Sequence, residues 1–113
     1  MKTLKERCEE LKYLRHEIKV LHDIKSAHGG NSDTYDKELE RYLTSLMKEY
    51  ELLTSAIAKV PHSLHRTILL ERFIKGKTWE QIAISTQYNF YHVIKRLMPK
   101  AMADLQRVLD GGK

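Results

Sequence analysis

The chain has 113 residues, 31% of them charged and 42% hydrophobic, and only seven are glycine or proline, a composition that fits one small helix-rich unit and argues against disorder. No apolar run approaches the ~20 residues of a membrane span, and MKTLKERCEELK at the N-terminus is too charged for a signal peptide, so a cytoplasmic protein without membrane association is expected. A single cysteine, Cys8, excludes an internal disulfide. The net charge of +5 is unevenly placed: residues 1–59 hold eleven basic and eleven acidic side chains, and residues 60–113 hold nine and four. The whole excess lies in the C-terminal half, which is the electrostatic footprint expected of phosphate contacts.

Residues 2–27 read as one helix. Leu4, Leu11, Leu14, Ile18 and Leu21 follow a heptad with Cys8 beside the seam, which implies left-handed packing against another helix. His16, His22 and His28 are six apart and share no face that could hold a metal. His28-Gly29-Gly30-Asn31-Ser32-Asp33 is the clearest break, with Ser32 or Asp33 as the next cap. A second helix then runs from about Thr34 to Lys59. Its apolar residues (Tyr35, Leu39, Tyr42, Leu43, Leu46, Met47, Tyr50, Leu53, Ile57 and Val60) span roughly 140°, wider than the ~100° of a core-facing stripe. Two helices of nearly equal length on a short link predict a long antiparallel, coiled-coil-like hairpin over residues 1–59, a packing and oligomerisation unit. A hairpin alone leaves so wide a stripe uncovered. The C-terminal domain, a second subunit, or both must pack there, and a homodimer is expected through the N-terminal helices and residues 100–109.

Val60-Pro61-His62-Ser63 separates the halves, with Ser63 as N-cap of a third helix that carries Ile68, Leu69, Phe73 and Ile74 into a trihelical core. His62 and His65 read as surface residues. Lys75-Gly76-Lys77 makes a turn. Thr78 and Gln81 form a capping box, so a short helix opens at Trp79. Gln87-Tyr88-Asn89 interrupts it, and Asn89 caps a further helix from Phe90. Ile82, Ala83, Tyr88, Phe90, Val93 and Leu97 fall where the two helices cross, leaving Tyr91, His92, Lys95 and Arg96 on the outer face. That is the layout of a helix-turn-helix, although an αα corner in an ordinary bundle has the same spacing. Pro99 requires either that the reading helix end at about Met98 or that one long helix kink there. Ala101, Met102, Leu105, Val108 and Leu109 keep helical spacing and are placed to pack back on the second helix.

The run HRTILLERFIKGKTWEQIA followed by YNFYHVIKRL resembles region four of bacterial sigma factors and related helix-turn-helix regulators. The matching positions are Arg72-Phe73, Gly76, Thr78, Trp79, Glu80-Gln81, Ile82-Ala83, Val93 and Arg96-Leu97. The resemblance covers residues 60–109, about half the chain, and the arrangement of halves looks most like phage late-gene activators of the ArpU and RinA type. Gln87 departs from the pattern where these families favour glycine, Pro99 sits within the expected recognition helix, and the remainder of a sigma factor is absent. The resemblance implies an all-α chain whose residues 60–113 form a trihelical helix-turn-helix DNA-binding domain.

No catalytic constellation, Gly-rich phosphate loop, CxxC or HExxH occurs, so neither an enzyme nor a bound cofactor is expected. The function expected is sequence-specific binding of double-stranded DNA in transcription regulation, in a phage or mobile element, with the helix from Phe90 to about Met98 in the major groove. Tyr91, His92, Lys95 and Arg96 would read bases, while Lys75, Lys77, Thr78, Asn89 and Lys100 would hold phosphates. RNA polymerase is a further expected partner. Two alternatives are a helical protein-interaction module acting on polymerase or another regulator, and a phage DNA-packaging adaptor of small-terminase type.

Overall fold

The computed structural model describes residues 2–28 and 33–111, and every regular element among them is helical. The elements are α1 (Leu4–Glu9), α2 (Leu11–His28), α3 (Asp33–Ala58), α4 (Ser63–Leu69), α5 (Trp79–Thr86), α6 (Phe90–His92) and α7 (Met98–Leu109). Two wider π-helical turns, Leu70–Ile74 and Val93–Leu97, extend α4 and join α6 to α7. The glycine link and the Ser32 cap expected before α3 lie in residues 29–32, outside the described residues. No described helix is long and apolar enough to cross a membrane.

The first helix is not continuous. Thr3 and Glu6 cap α1 reciprocally, and the chain breaks at Glu10 before α2 begins. Tyr13 N–H bonds the Glu10 carbonyl at 3.0 Å, a tightened turn between the two helices. Cys8 and Leu11 flank that turn and are both buried, so Cys8 serves as the small apolar core residue that its place beside the seam suggests. Burial pushes its thiol up to about 12, which leaves it inert at neutral pH.

Arg7 grips Glu49 through two bonds of 2.9 and 2.8 Å, Tyr42 donates to Glu17 at 2.5 Å, and Lys25 pairs with Glu40 at 2.7 Å. Partners descend along α3 as they climb along α1 and α2, so α3 runs in the opposite sense. Tyr42 is 49% exposed, on the rim rather than in the core its spacing suggested.

The C-terminal part of the wide α3 stripe finds its cover inside the chain. Leu53, Ile57 and Val60 are fully buried in one core with Cys8, Leu11, Ile68, Phe73, Ala101 and Leu105. The core therefore crosses residue 60, and α7 folds back onto α3, α4 and α1. The C-terminal end of the stripe that motivated a homodimer is thus covered within the chain. Among the described side chains of α3, the large apolar ones left exposed are Tyr42 and Leu52.

His62, not Ser63, caps α4: its side chain accepts from the His65 N–H. His65 is not a surface residue either. Its ring stacks on His62 at 3.8 Å, it is 8% exposed, and its Nδ1 lies 2.5 Å from Asp104 Oδ2. Asp104 also receives Arg107, so one carboxylate clasps α7 to the first turn of α4. The partners are 39 residues apart, and no local pattern announces the pair.

Pro99 neither ends nor interrupts the helix begun at Phe90. Proline has no N–H and its ring crowds the carbonyl four residues back. Here the turn ahead of it is wide, with Met98 N–H donating to the Val93 carbonyl five residues back, and Pro99 falls in the first turn of α7. The chain stays helical from Phe90 to Leu109.

Candidate nucleic-acid interface

The turn into α5 is built by α4 and its π-helical extension. Gly76 has φ +72°, a left-handed conformation that glycine adopts without strain. Arg72 donates to the Lys77 carbonyl at 3.0 Å and lays its guanidinium 4.4 Å from the centre of the Trp79 ring, tying the turn to the first residue of α5. Glu71 receives Lys77 at 3.2 Å and the Ser85 hydroxyl at 3.0 Å, so one carboxylate spans both ends of α5. Burial alone would raise the Glu71 carboxyl, but the hydrogen bonds from Lys77 and Ser85 outweigh it and hold it below the usual range.

The Thr78 cap stands as expected. Its hydroxyl oxygen accepts the Gln81 N–H at 3.2 Å, and Gln81 accepts the Thr78 N–H at 2.9 Å. The Thr78 O–H remains free to donate outward. Asn89 caps α6 by accepting the Tyr91 N–H at 2.9 Å, which likewise leaves its amide NH₂ free. Lys75 and Lys100 are exposed, and neither takes part in an ion pair among the described residues. Lys77 differs, because it is engaged by Glu71.

Between the helices, Gln87 adopts φ 62° and ψ 24°. This is the left-handed position where the resembling families place glycine, and here a side chain occupies it. A Cβ at such a φ is strained, so Gln87→Gly is expected to raise stability by about 0.5–1 kcal/mol. Urea denaturation with an unchanged slope would show it. A destabilised variant would mean that the Gln87 side chain makes a compensating contact.

Ile82 and Val93 are fully buried and Leu97 is 7% exposed, so these three hold α5 against the helix that follows. Ala83 and Phe90 are half-buried. Tyr88 was expected at the crossing but is 42% exposed: the left-handed turn at Gln87 carries it outward, where its ring stacks on His92 at 5.2 Å. Tyr91, His92, Lys95 and Arg96 are all exposed along one side of the helix, Tyr91 at 67%. Lys95 and Arg96 belong to the widened turn Val93–Leu97, a feature that often marks functional sites. Pro99 was the one sequence signal for that turn. The Arg72 clamp had a visible trace in an arginine and a tryptophan flanking a glycine turn, whereas the double role of Glu71 had none.

Compared with protein-family models, curated proteins and solved structures, the chain matches none of them.

Proposed function

We propose that the chain is a sequence-specific double-stranded DNA-binding protein that regulates transcription, built as an antiparallel helical hairpin followed by a helix-turn-helix of α5 and α6. The observation that carries this is the exposed cluster Tyr91, His92, Lys95 and Arg96 on a helix whose opposite side is anchored by buried Val93 and Leu97. Those side chains are long, polar or aromatic, and two of them are cations of the kind that favours guanine edges. The clamped turn carries Lys75 and the Thr78 hydroxyl, the turn between α5 and α6 carries the Asn89 amide, and Lys100 lies one turn beyond the cluster; these are the phosphate contacts that would fix register. The reading is non-enzymatic and cytoplasmic, and a phage or mobile-element setting follows from the resemblance to late-gene activators. RNA polymerase is then the natural second partner. A homodimer would present two reading helices to half-sites, with Tyr13, Val20, Tyr42 and Leu52 among the exposed apolar side chains of the N-terminal helices that could build it.

Selection of bound fragments from a random duplex pool tests this directly. One enriched motif is the expected result, and its symmetry reports the number of reading helices. A second reading, a protein-interaction module, is favoured by Ile84, which stands 78% exposed on α5. Salt separates the two, because phosphate-mediated binding weakens steeply as salt rises and an apolar interface does not.

The phosphate contacts are predicted to be unequal. Lys75→Ala should weaken binding to every sequence and flatten the salt slope by roughly one unit. Lys77→Ala should flatten it less, because Glu71 already holds that ammonium, and should loosen the turn instead. Equal flattening by both would show that Lys77 leaves Glu71 on binding.

A further inference from the structure

The N-terminal half is neutral in sum, yet one face of α2 is not. Lys12, Arg15, His16 and Lys19 follow helical spacing along a single stripe, and all four are exposed. That stripe faces the turn before α5. Lys12, Arg15, His16 and Lys19 line one groove together with Ile74 and Lys75, and the Arg15 guanidinium points at the Ile74 carbonyl at 3.5 Å. No acidic residue lines this groove. Of the α2 carboxylates, Glu17 is turned toward Tyr42 and Asp23 lies one turn beyond Lys19; ahead of α2, Glu10 pairs with Lys2 and Glu9 lines the adjoining depression. Among the described residues, none of Lys12, Arg15, Lys19 or Lys75 joins an ion pair, while Lys2, Arg7, Lys25, Lys77 and Arg107 all do. Cations left unpaired side by side repel one another, an arrangement that a polyanion relieves.

We infer that this face of α2, with Lys75, is a second phosphate-holding surface that grips the backbone of duplex DNA beside the segment met by α6. The inference rests on the DNA-binding reading. Lys75 makes the two surfaces continuous: it lines the α2 groove and also sits three residues before the Thr78 cap. A protein that reads a short segment with one helix gains from it affinity without sequence information, because backbone contacts position and base contacts specify. The N-terminal half then lengthens the footprint on DNA as well as packing against the C-terminal half.

The test compares the full chain with Lys12→Gln/Arg15→Gln/Lys19→Gln, and separately with Lys19→Glu, on the selected duplex, on random duplex of equal length, on that site trimmed to its enriched motif, and on single-stranded RNA. The substituted side chains are exposed, and circular dichroism checks that the fold is retained. The triple variant is expected to bind the long duplexes roughly tenfold to a hundredfold more weakly near 0.1 M salt, with a salt slope flattened by about two to three units and base preference unchanged. On the trimmed site the loss should shrink, since the flanking backbone is gone. Lys19→Glu should show the same pattern at smaller scale. Wild-type binding to duplex with both variants indistinguishable from it overturns the α2 surface and leaves the reading helix intact. Loss on RNA with none on duplex overturns it in favour of an RNA-binding face. Absence of duplex binding by the wild-type chain overturns the DNA reading and this inference together.

Discussion

Ile82→Ala is expected to lower the free energy of unfolding by about 2–5 kcal/mol, the range for truncating a buried isoleucine to alanine. Ile82 is fully buried on a helix of eight residues, and such a short helix has little stability of its own. Its other apolar contacts are half-buried Trp79 and Ala83, and the remaining large apolar side chain, Ile84, points to solvent. One side chain therefore seats α5 against both π-helical turns. The Thr86 hydroxyl bonds the Ile82 carbonyl at 2.7 Å, so displacement of this residue also disturbs the end of the helix. A small domain is stable by only about 5–15 kcal/mol, so the loss takes a large share of the total. Urea denaturation of Ile82→Ala beside Ile84→Ala provides the check. The exposed control should change stability by less than about 0.5 kcal/mol. Similar costs at the two positions would mean that α5 is rotated about its axis from the orientation described.

The local signals along this chain were legible because their physics is local. Thr78 and Gln81 cap each other within one turn, and Asn89 needs only the amide two residues on. The apolar spacing of Ile82, Val93 and Leu97 likewise separated the buried side of the corner from the exposed side that carries Tyr91, His92, Lys95 and Arg96. What failed depended on distant partners or on backbone detail. His65 looked like a surface residue because its partner Asp104 arrives from α7. Ser63 lost the cap to His62, whose imidazole nitrogen can accept as a carboxylate or hydroxyl would. Tyr88 was assigned inward on helical spacing that the left-handed residue before it breaks. The reading of Pro99 as a stop failed because five-residue hydrogen bonding, which leaves no mark on apolar periodicity, carries the helix up to it. Charge misled in a different way. A zero balance over residues 1–59 conceals a basic groove along the middle of α2, because the compensating carboxylates lie at the ends of that stripe, on other faces and on α3.

Lys95→Ala is expected to change which sequences are bound, at a cost of about 1–3 kcal/mol on the preferred site and little on random duplex. The side chain is exposed, lies nearly two turns beyond the Asn89 cap, and has no ion-pair partner among the described residues, so its ammonium is available to a base edge. It also lies in the widened turn Val93–Leu97, a feature that often marks functional sites. Tyr88 stacked on His92 closes the other side of the same surface, so truncation of either ring should weaken binding less selectively than loss of Lys95. Val93→Ala is the contrasting variant. It removes a fully buried contact under the same turn, and should lower stability while the preferred sequence stays the same in the molecules that remain folded. Competition between the selected site, single-base variants of it and random duplex measures both. Equal losses on selected and random DNA for Lys95→Ala would assign that ammonium to the backbone and leave base reading to Tyr91, His92 and Arg96. Unchanged binding for substitutions at all four positions would remove this face from the interface and put the protein-interaction reading first.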